Sequence, residues 1–222
     1  MRFVFFTILV LCSLASADGW LRSYYVSLGA GAAITQGDLE GEKSNVEKSD
    51  KSTETTYAPY LGIYFMPELE LGVNLNQHTV SVDLSYSEPT TNFAKGTAFV
   101  DETSTDVFRL ALSYRYNFFW PEPFQVFAGA SYAFTYLSTE DNAILVQGDK
   151  VTKSDAVLMG NGFSLNVGTF YYLTRHVTME MHSRFRTMFF NSVGTDENGF
   201  SDLDDSYKQT AIELLLKFAY HF

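Results

Sequence analysis

Charged side chains recur at every second position within otherwise apolar stretches of this chain. Glu180, His182, Arg184 and Arg186 alternate with Met179, Met181 and Phe185, and Glu213 and Lys217 alternate with Ile212, Leu214, Leu216 and Phe218. Glu70, Arg109 and Arg115 stand in similar settings. Residues two apart on an extended chain share one face, so these groups are spaced for ion pairing within a confined polar space. Pairing sums in antiparallel hairpins then match Glu180 with Lys217, Arg184 with Glu213, and Glu70 with Arg115. Catalysis is less well served. The histidines, His78, His176, His182 and His221, form no H-x-S arrangement and no cluster with metal-ligand spacing. Asp204-Asp205 lies in an acidic loop, and no Gly-rich phosphate loop occurs. The chain is therefore expected to be no enzyme, to need no cofactor and to hold no metal, with its inner charges forming a polar core.

The elements that must position these charges are short and alternate with period two, the mark of strands rather than helices. Eight segments show it. They run from Tyr24 to Ile34, Tyr60 to Phe65, Leu69 to Asn76, Phe108 to Phe118, Val126 to Phe134, Gly162 to Tyr171, Val177 to Phe189 and Ile212 to Phe222. Short connections are expected at Met66-Pro67-Glu68, Trp120-Pro121-Glu122-Pro123 and Thr174-Arg175-His176. Long polar ones are expected near 36–54, 83–104, 138–156 and 191–206. After Asn76 the alternation slips, so that Val80, Val82, Leu84 and Tyr86 fall out of phase with Leu75; a β-bulge would account for this. Ten strands would result if loop segments such as 143–152 paired as membrane strands.

The N-terminus reads as an export signal rather than as part of the fold. Arg2 precedes an apolar run from Phe3 to Leu11, and Ala15-Ser16-Ala17 is an A-x-A cleavage pattern that leaves Asp18 first. The run is too short to cross a bilayer as a helix, which takes about 20 apolar residues. Cleavage also removes Cys12, the single cysteine, and with it any disulfide or thiolate chemistry. A formal charge of −11 argues against nucleic-acid binding. Although 46% of the chain is hydrophobic, no stretch beyond the signal reaches the length of a transmembrane helix.

Charge distribution separates a membrane barrel from a soluble sandwich. The charged faces also carry Gly, Ala, Ser and Asn, which suits a narrow interior, while the apolar faces keep charge out of their central rows, as lipid requires. Aromatic residues gather at segment ends, with Phe65, Phe118, Phe119, Trp120, Phe124, Tyr171, Tyr172, Tyr220 and Phe222 beside the short turns. Phe108, Phe134, Tyr136, Phe189 and Tyr207 lie towards the long loops. The reading is an all-β, antiparallel, up-and-down transmembrane barrel of eight strands spanning 18–222.

The last strand, with Tyr220 third from the end and Phe222 terminal, resembles the C-terminal signature of Gram-negative outer-membrane proteins. The eight segments and short turns resemble the small OmpA/OmpX-like barrels. That resemblance implies location in the outer membrane, contact with its lipids including lipopolysaccharide, and passage through periplasmic chaperones and the barrel-assembly machinery. A peptidoglycan-binding module after Phe222 is not expected. Eight strands leave an interior that side chains can fill, so the charges are expected to form a plug that includes His182. The loops are acidic: Asp196, Glu197, Asp202, Asp204 and Asp205 crowd the last one, and Ala143 to Val151 is expected to form a hairpin above the membrane. The favoured role is envelope structure, adhesion or surface interaction with an extracellular ligand or host surface. The alternatives are a narrow channel for small or hydrophobic molecules and a lipid-modifying enzyme.

Overall fold

The computed structural model describes residues 22–38, 41–47, 53–59, 62–95, 98–120, 122–147, 150–195 and 199–222. The signal at 1–17, with Cys12 and the A-x-A site, lies outside them. Eleven strands are formed: β1 (Arg22–Gly37), β2 (Gly41–Glu47), β3 (Thr53–Pro59), β4 (Gly62–Leu75), β5 (His78–Ser87), β6 (Thr90–Lys95), β7 (Ala98–Phe118), β8 (Phe124–Gln147), β9 (Lys150–Tyr172), β10 (Val177–Thr195) and β11 (Gly199–His221). Eight of them, β1, β4, β5, β7, β8, β9, β10 and β11, close into an all-antiparallel barrel. The β5–β7 pairing and the β1–β11 pairing complete the ring.

Following the register once round shows how the barrel closes. Partners run from Tyr25 through Gly72, Ser81, Ser113, Ser131, Ser164, Arg186 and Ala211 to Thr35, ten residues further along β1. A stagger of that size over eight strands tilts them by about 40° from the barrel axis. The eight residues from Tyr25 to Ala211 all point inward, and six of them are Ser, Gly or Ala, set among strands that carry the long charged groups. Small residues therefore leave the volume that the charges fill.

The outer face is the lipid surface. Leu28, Leu71, Leu112, Leu165, Val167, Met181, Leu214 and Leu216 are exposed around the middle of the barrel wall. Tyr24, Phe118, Phe119, Trp120, Phe124, Tyr171, Tyr220 and Phe222 ring one end, and Phe65, Phe108, Phe134 and Tyr136 the other. Amphipathic rings favour the two interfaces, so these girdles mark the membrane boundaries. Among the described residues no helix is long and apolar enough to cross a membrane; the strands cross it.

One hairpin differs from the sequence reading. Met66-Pro67-Glu68 is no turn: β4 runs straight through it, and Ala30 pairs with Pro67. The turn is Asn76-Gln77, closed by the Leu75–His78 pair, with Asn76 at φ 58°. A two-residue hairpin exchanges the parity of the outward positions from odd to even, so the phase slip after Asn76 was a turn and not a bulge. The strand count stays at eight because the expected second and third segments fuse while β5 separates. Phe65 consequently belongs to the girdle near the long loops. Pro59 ends β3, outside the barrel, and the 41–47 and 53–59 segments pair with each other.

The other connections follow the short-and-long rule, which puts the short turns in the periplasm. A membrane strand needs 9–11 residues, whereas β8, β9 and β11 have 24, 23 and 23. Their upper parts therefore project beyond the outer girdle. There β8 and β9 stay paired as far as Gln147–Lys150, making a raised hairpin and not additional membrane strands.

Inward glycines act as sockets for large side chains. A Cβ at Gly72 would collide with the Tyr25 ring, and one at Gly168 with the Phe127 ring. Tyr25 lies over Gly72 and donates its hydroxyl to Glu70. Gly72→Ala is expected to destabilise the barrel by about 1–3 kcal/mol through overpacking. Urea unfolding in lipid vesicles checks this, and a Tyr25→Ala background should remove most of the effect.

Candidate functional site

Among the described residues the interior holds five buried carboxylates, Glu68, Glu70, Asp83, Glu180 and Glu213, and five buried cations, Arg109, Arg115, Arg184, Arg186 and Lys217, with His182 among them. Formal charge is balanced, which an environment of low dielectric demands because an unpaired buried charge is costly. Five strands supply these groups. Glu68 and Glu70 come from β4, Asp83 from β5, Arg109 and Arg115 from β7, Glu180 to Arg186 from β10, and Glu213 and Lys217 from β11.

The contacts form one connected network. On the side towards the outer girdle, Arg184 grips Glu68 with both terminal nitrogens, at 2.8 and 3.0 Å. Glu213 accepts from Arg109 at 2.7 and 3.3 Å, from Arg184 at 3.1 Å and from Arg186. Lys217 Nζ joins Glu68 to Glu70, donating to the latter at 2.6 Å. Towards the periplasmic end Arg115 donates to Glu180 at 3.0 Å and stands 3.8 Å from Glu70. Its guanidinium lies 4.9 Å from the Phe127 ring centre, with Tyr25 and Phe170 beside it. His182 meets Glu180 at 2.8 Å and sets its ring edge-on to Phe127. Asp83 accepts from Ser81 and Ser113 and is 4.0 Å from Arg184.

The expected pairings need restating. Glu180 does stand opposite Lys217, and Arg184 opposite Glu213, in the β10–β11 register. Only the second of these neighbour pairs makes an ion pair, because Lys217 bends the other way. It lies over Gly29, which stands in register between Lys217 and Glu68 and has no side chain to block the path. Glu70 and Arg115 are not neighbours in register, since β5 separates their strands and places Glu70 opposite Asp83. They meet across the lumen instead.

Two members of the network, Glu68 and Asp83, were missed from the sequence. The sequence pattern places Glu68 in a turn and Asp83 at the start of the long connection near 83–104; the hairpin at Asn76-Gln77 puts both on strands with their side chains inward.

The centre of the lumen is filled. The space bounded by Glu70, Asp83, Ser113, Arg115, His182 and Arg184 amounts to about 10 Å³, about the size of one water. Two carboxylate groupings, Glu70–Glu180–His182 and Glu68–Glu70–Asp83, have ligand atoms within 4.8 Å of one another. A cation there would compete with Arg115, Lys217 and Arg184, which already supply the countercharge. Above the charges Leu137, Leu158, Met188, Phe190 and Tyr207 are buried in the lumen beside Thr35, Thr135 and Gln209, with Phe190 opposite Tyr207 in register. His221 stands at the periplasmic floor between Tyr25 and Tyr172 and meets Thr178 at 3.1 Å. Tyr220 and Phe222 face outward there, ring to ring at 5.2 Å.

Several solved structures are similar to the chain at low identity. Neisserial surface protein A is 16% identical, with 90% of this chain and 98% of that chain covered and a TM-score of 0.47. The outer membrane protein OprG from Pseudomonas aeruginosa is 13% identical, with 90% and 96% covered and a TM-score of 0.49. The outer membrane protease OmpT from Escherichia coli is 7% identical, with 94% and 99% covered and a TM-score of 0.42. No curated protein sequence matches the chain. The family model for the outer membrane protein beta-barrel domain matches residues 4–222, and with it the closed barrel, the girdles and the charged interior find their place: the chain belongs to that family of outer-membrane barrels.

Proposed function

We propose that this barrel is a sealed membrane anchor that presents a raised β-sheet rim for structural or adhesive contacts at the cell surface. The observation that carries the reading is the charge-balanced plug, whose five acids and five cations contact one another across the lumen. Matched charges held by bidentate contacts oppose ion flow, and the space that His182 borders amounts to about 10 Å³, too little for a substrate. On this reading the protein is not an enzyme and needs no cofactor, and its partners are outer-membrane lipids and a ligand reached by the loops. The refolded protein in planar bilayers is expected to give no ohmic steps; large, stable conductance steps would refute the sealed reading. Proteoliposomes are expected to bind an immobilised matrix protein only while residues 141–154 are present. Equal binding after their deletion would remove the rim from the proposal.

Export and assembly complete the reading. Residues 1–17 act as the cleaved signal, and Tyr220 with Phe222 as the assembly signal. An intact mass of the membrane-inserted protein beginning at Asp18 is the expected result for the first.

A further inference from the structure

The barrel wall is not paired evenly. The β4–β5 ladder runs from Leu75–His78 up to Glu68–Ser85 and stops. Both strands continue, β4 to Gly62 beside β1 alone and β5 to Ser87 beside β7 alone. Pro67 stands where the ladder ends. Tyr24 accepts the Phe222 N–H, which turns the even-numbered peptides of β1 towards β11 and the odd-numbered ones towards β4. Through the Tyr25–Gly72 pair, the odd-numbered peptides of β4 then face β5. Pro67 is one of these, and it has no N–H to give.

Beyond Pro67, the N–H and C=O groups of Phe65 and Ile63 face the same side, and among the described residues no strand lies against them. Their side chains are 67% and 72% exposed on the outer surface, level with the girdle near the long loops. A bare strand edge at membrane depth is unfavourable, because hydrocarbon offers no hydrogen-bonding partner. The seam is closed on its inner side. Met66 and Ser87 are buried, Met66 Sδ lies 3.1 Å from Arg109, and the plug begins at Glu68.

We propose that this seam between the upper ends of β4 and β5 binds an outer-leaflet lipid through a hydroxyl or amide group on its acyl chain. Such a group gives the Ile63 and Phe65 peptides both a donor and an acceptor at the depth where water is scarce. Hydrocarbon is accommodated alongside. On the other side of β5 an apolar groove of about 230 Å³ is lined by Leu84, Phe108, Leu110, Phe134, Tyr136 and Met159. Recognition does not rest on an anionic headgroup, since the carboxylates of Glu88 and Asp106 both lie against the Tyr86 hydroxyl at the upper end of β5. A second copy of the chain is a poor occupant, as two free peptides are too short an edge for stable strand pairing. Because the plug lies beneath, the lipid is held at the wall and not passed through.

Native mass spectrometry of the refolded barrel tests this, using micelles doped with N-(3-hydroxymyristoyl)glucosamine or with dimyristoylphosphatidylcholine. The wild type is expected to retain one molecule of the hydroxyacyl amide and at least tenfold less of the phosphatidylcholine. Pro67→Val restores the missing donor, lets the ladder extend and is expected to abolish that preference. Should it fail to fold, Met66→Cys with Ser87→Cys decides. These positions continue the β4–β5 register, and their disulfide should close the seam and release the lipid until it is reduced. Equal retention of both lipids by the wild type, retention unaffected by the closed disulfide, or dimers linked through this edge would each overturn the proposal.

Discussion

Glu213→Ala is expected to destabilise the barrel by about 3–5 kcal/mol, the usual cost of removing one partner from a buried ion pair. Glu213 accepts from three arginines, Arg109, Arg184 and Arg186. Arg109 and Arg184 keep Glu68 when it is lost. Among the described residues Arg186 has no other carboxylate within 4 Å, so its guanidinium is left buried and uncompensated. A buried ion pair need not be more stabilising than an apolar pair of the same volume. The loss therefore measures the penalty of stranding Arg186 more than the worth of the pair. This distinction can be tested. Adding Arg186→Met to Glu213→Ala restores charge balance and should recover a large part of the loss in urea titrations of the bilayer-inserted protein. If the double variant is no more stable than Glu213→Ala alone, the charge-balance account of the interior is wrong.

That balance also explains how far the sequence could be read. Period-two alternation revealed eight strands, the membrane faces and the β10–β11 register, since that hairpin has no irregularity below Phe190. It did not locate the β4–β5 turn, because Pro67 is a stronger turn signal than Asn76-Gln77 in a chain read residue by residue. Only the β1 partner strand shows that Pro67 lies in a continuous ladder. The misplacement had a detectable consequence. The inward set read from sequence held five cations, Arg109, Arg115, Arg184, Arg186 and Lys217, against three acids, Glu70, Glu180 and Glu213. A sealed interior with two excess positive charges is physically implausible, and the two missing acids are Glu68 and Asp83. The ion-pair partners were harder to foresee than the inward set. Long side chains in a narrow lumen reach past their register neighbours, as Lys217 does over Gly29, and register alone does not say which way they bend.

Lys217→Met is expected to have the second large effect, again about 3–5 kcal/mol, through repulsion instead of a stranded cation. The Lys217 ammonium sits between Glu68 and Glu70 with no solvent exposure. Glu68, Glu70 and Asp83 have oxygens within 4.8 Å of one another, so removing the ammonium leaves three carboxylates facing each other at low dielectric. Glu68 retains Arg184 at 2.8 Å, whereas Glu70 keeps the Tyr25 hydroxyl and the more distant Arg115 at 3.8 Å. Glu70 is thus the less compensated of the two, and Glu70→Gln in the Lys217→Met background should recover stability. Lys217→Arg separates charge from shape. Its charge is conserved, but the planar guanidinium must fit a channel made for a compact ammonium, where even a Cβ at Gly29 would strike the Lys217 stem. Arginine is therefore expected to remain clearly destabilising in the same urea titration. Wild-type stability with arginine would mean that position 217 requires only a positive charge, and that Gly29 is not what steers it towards β4.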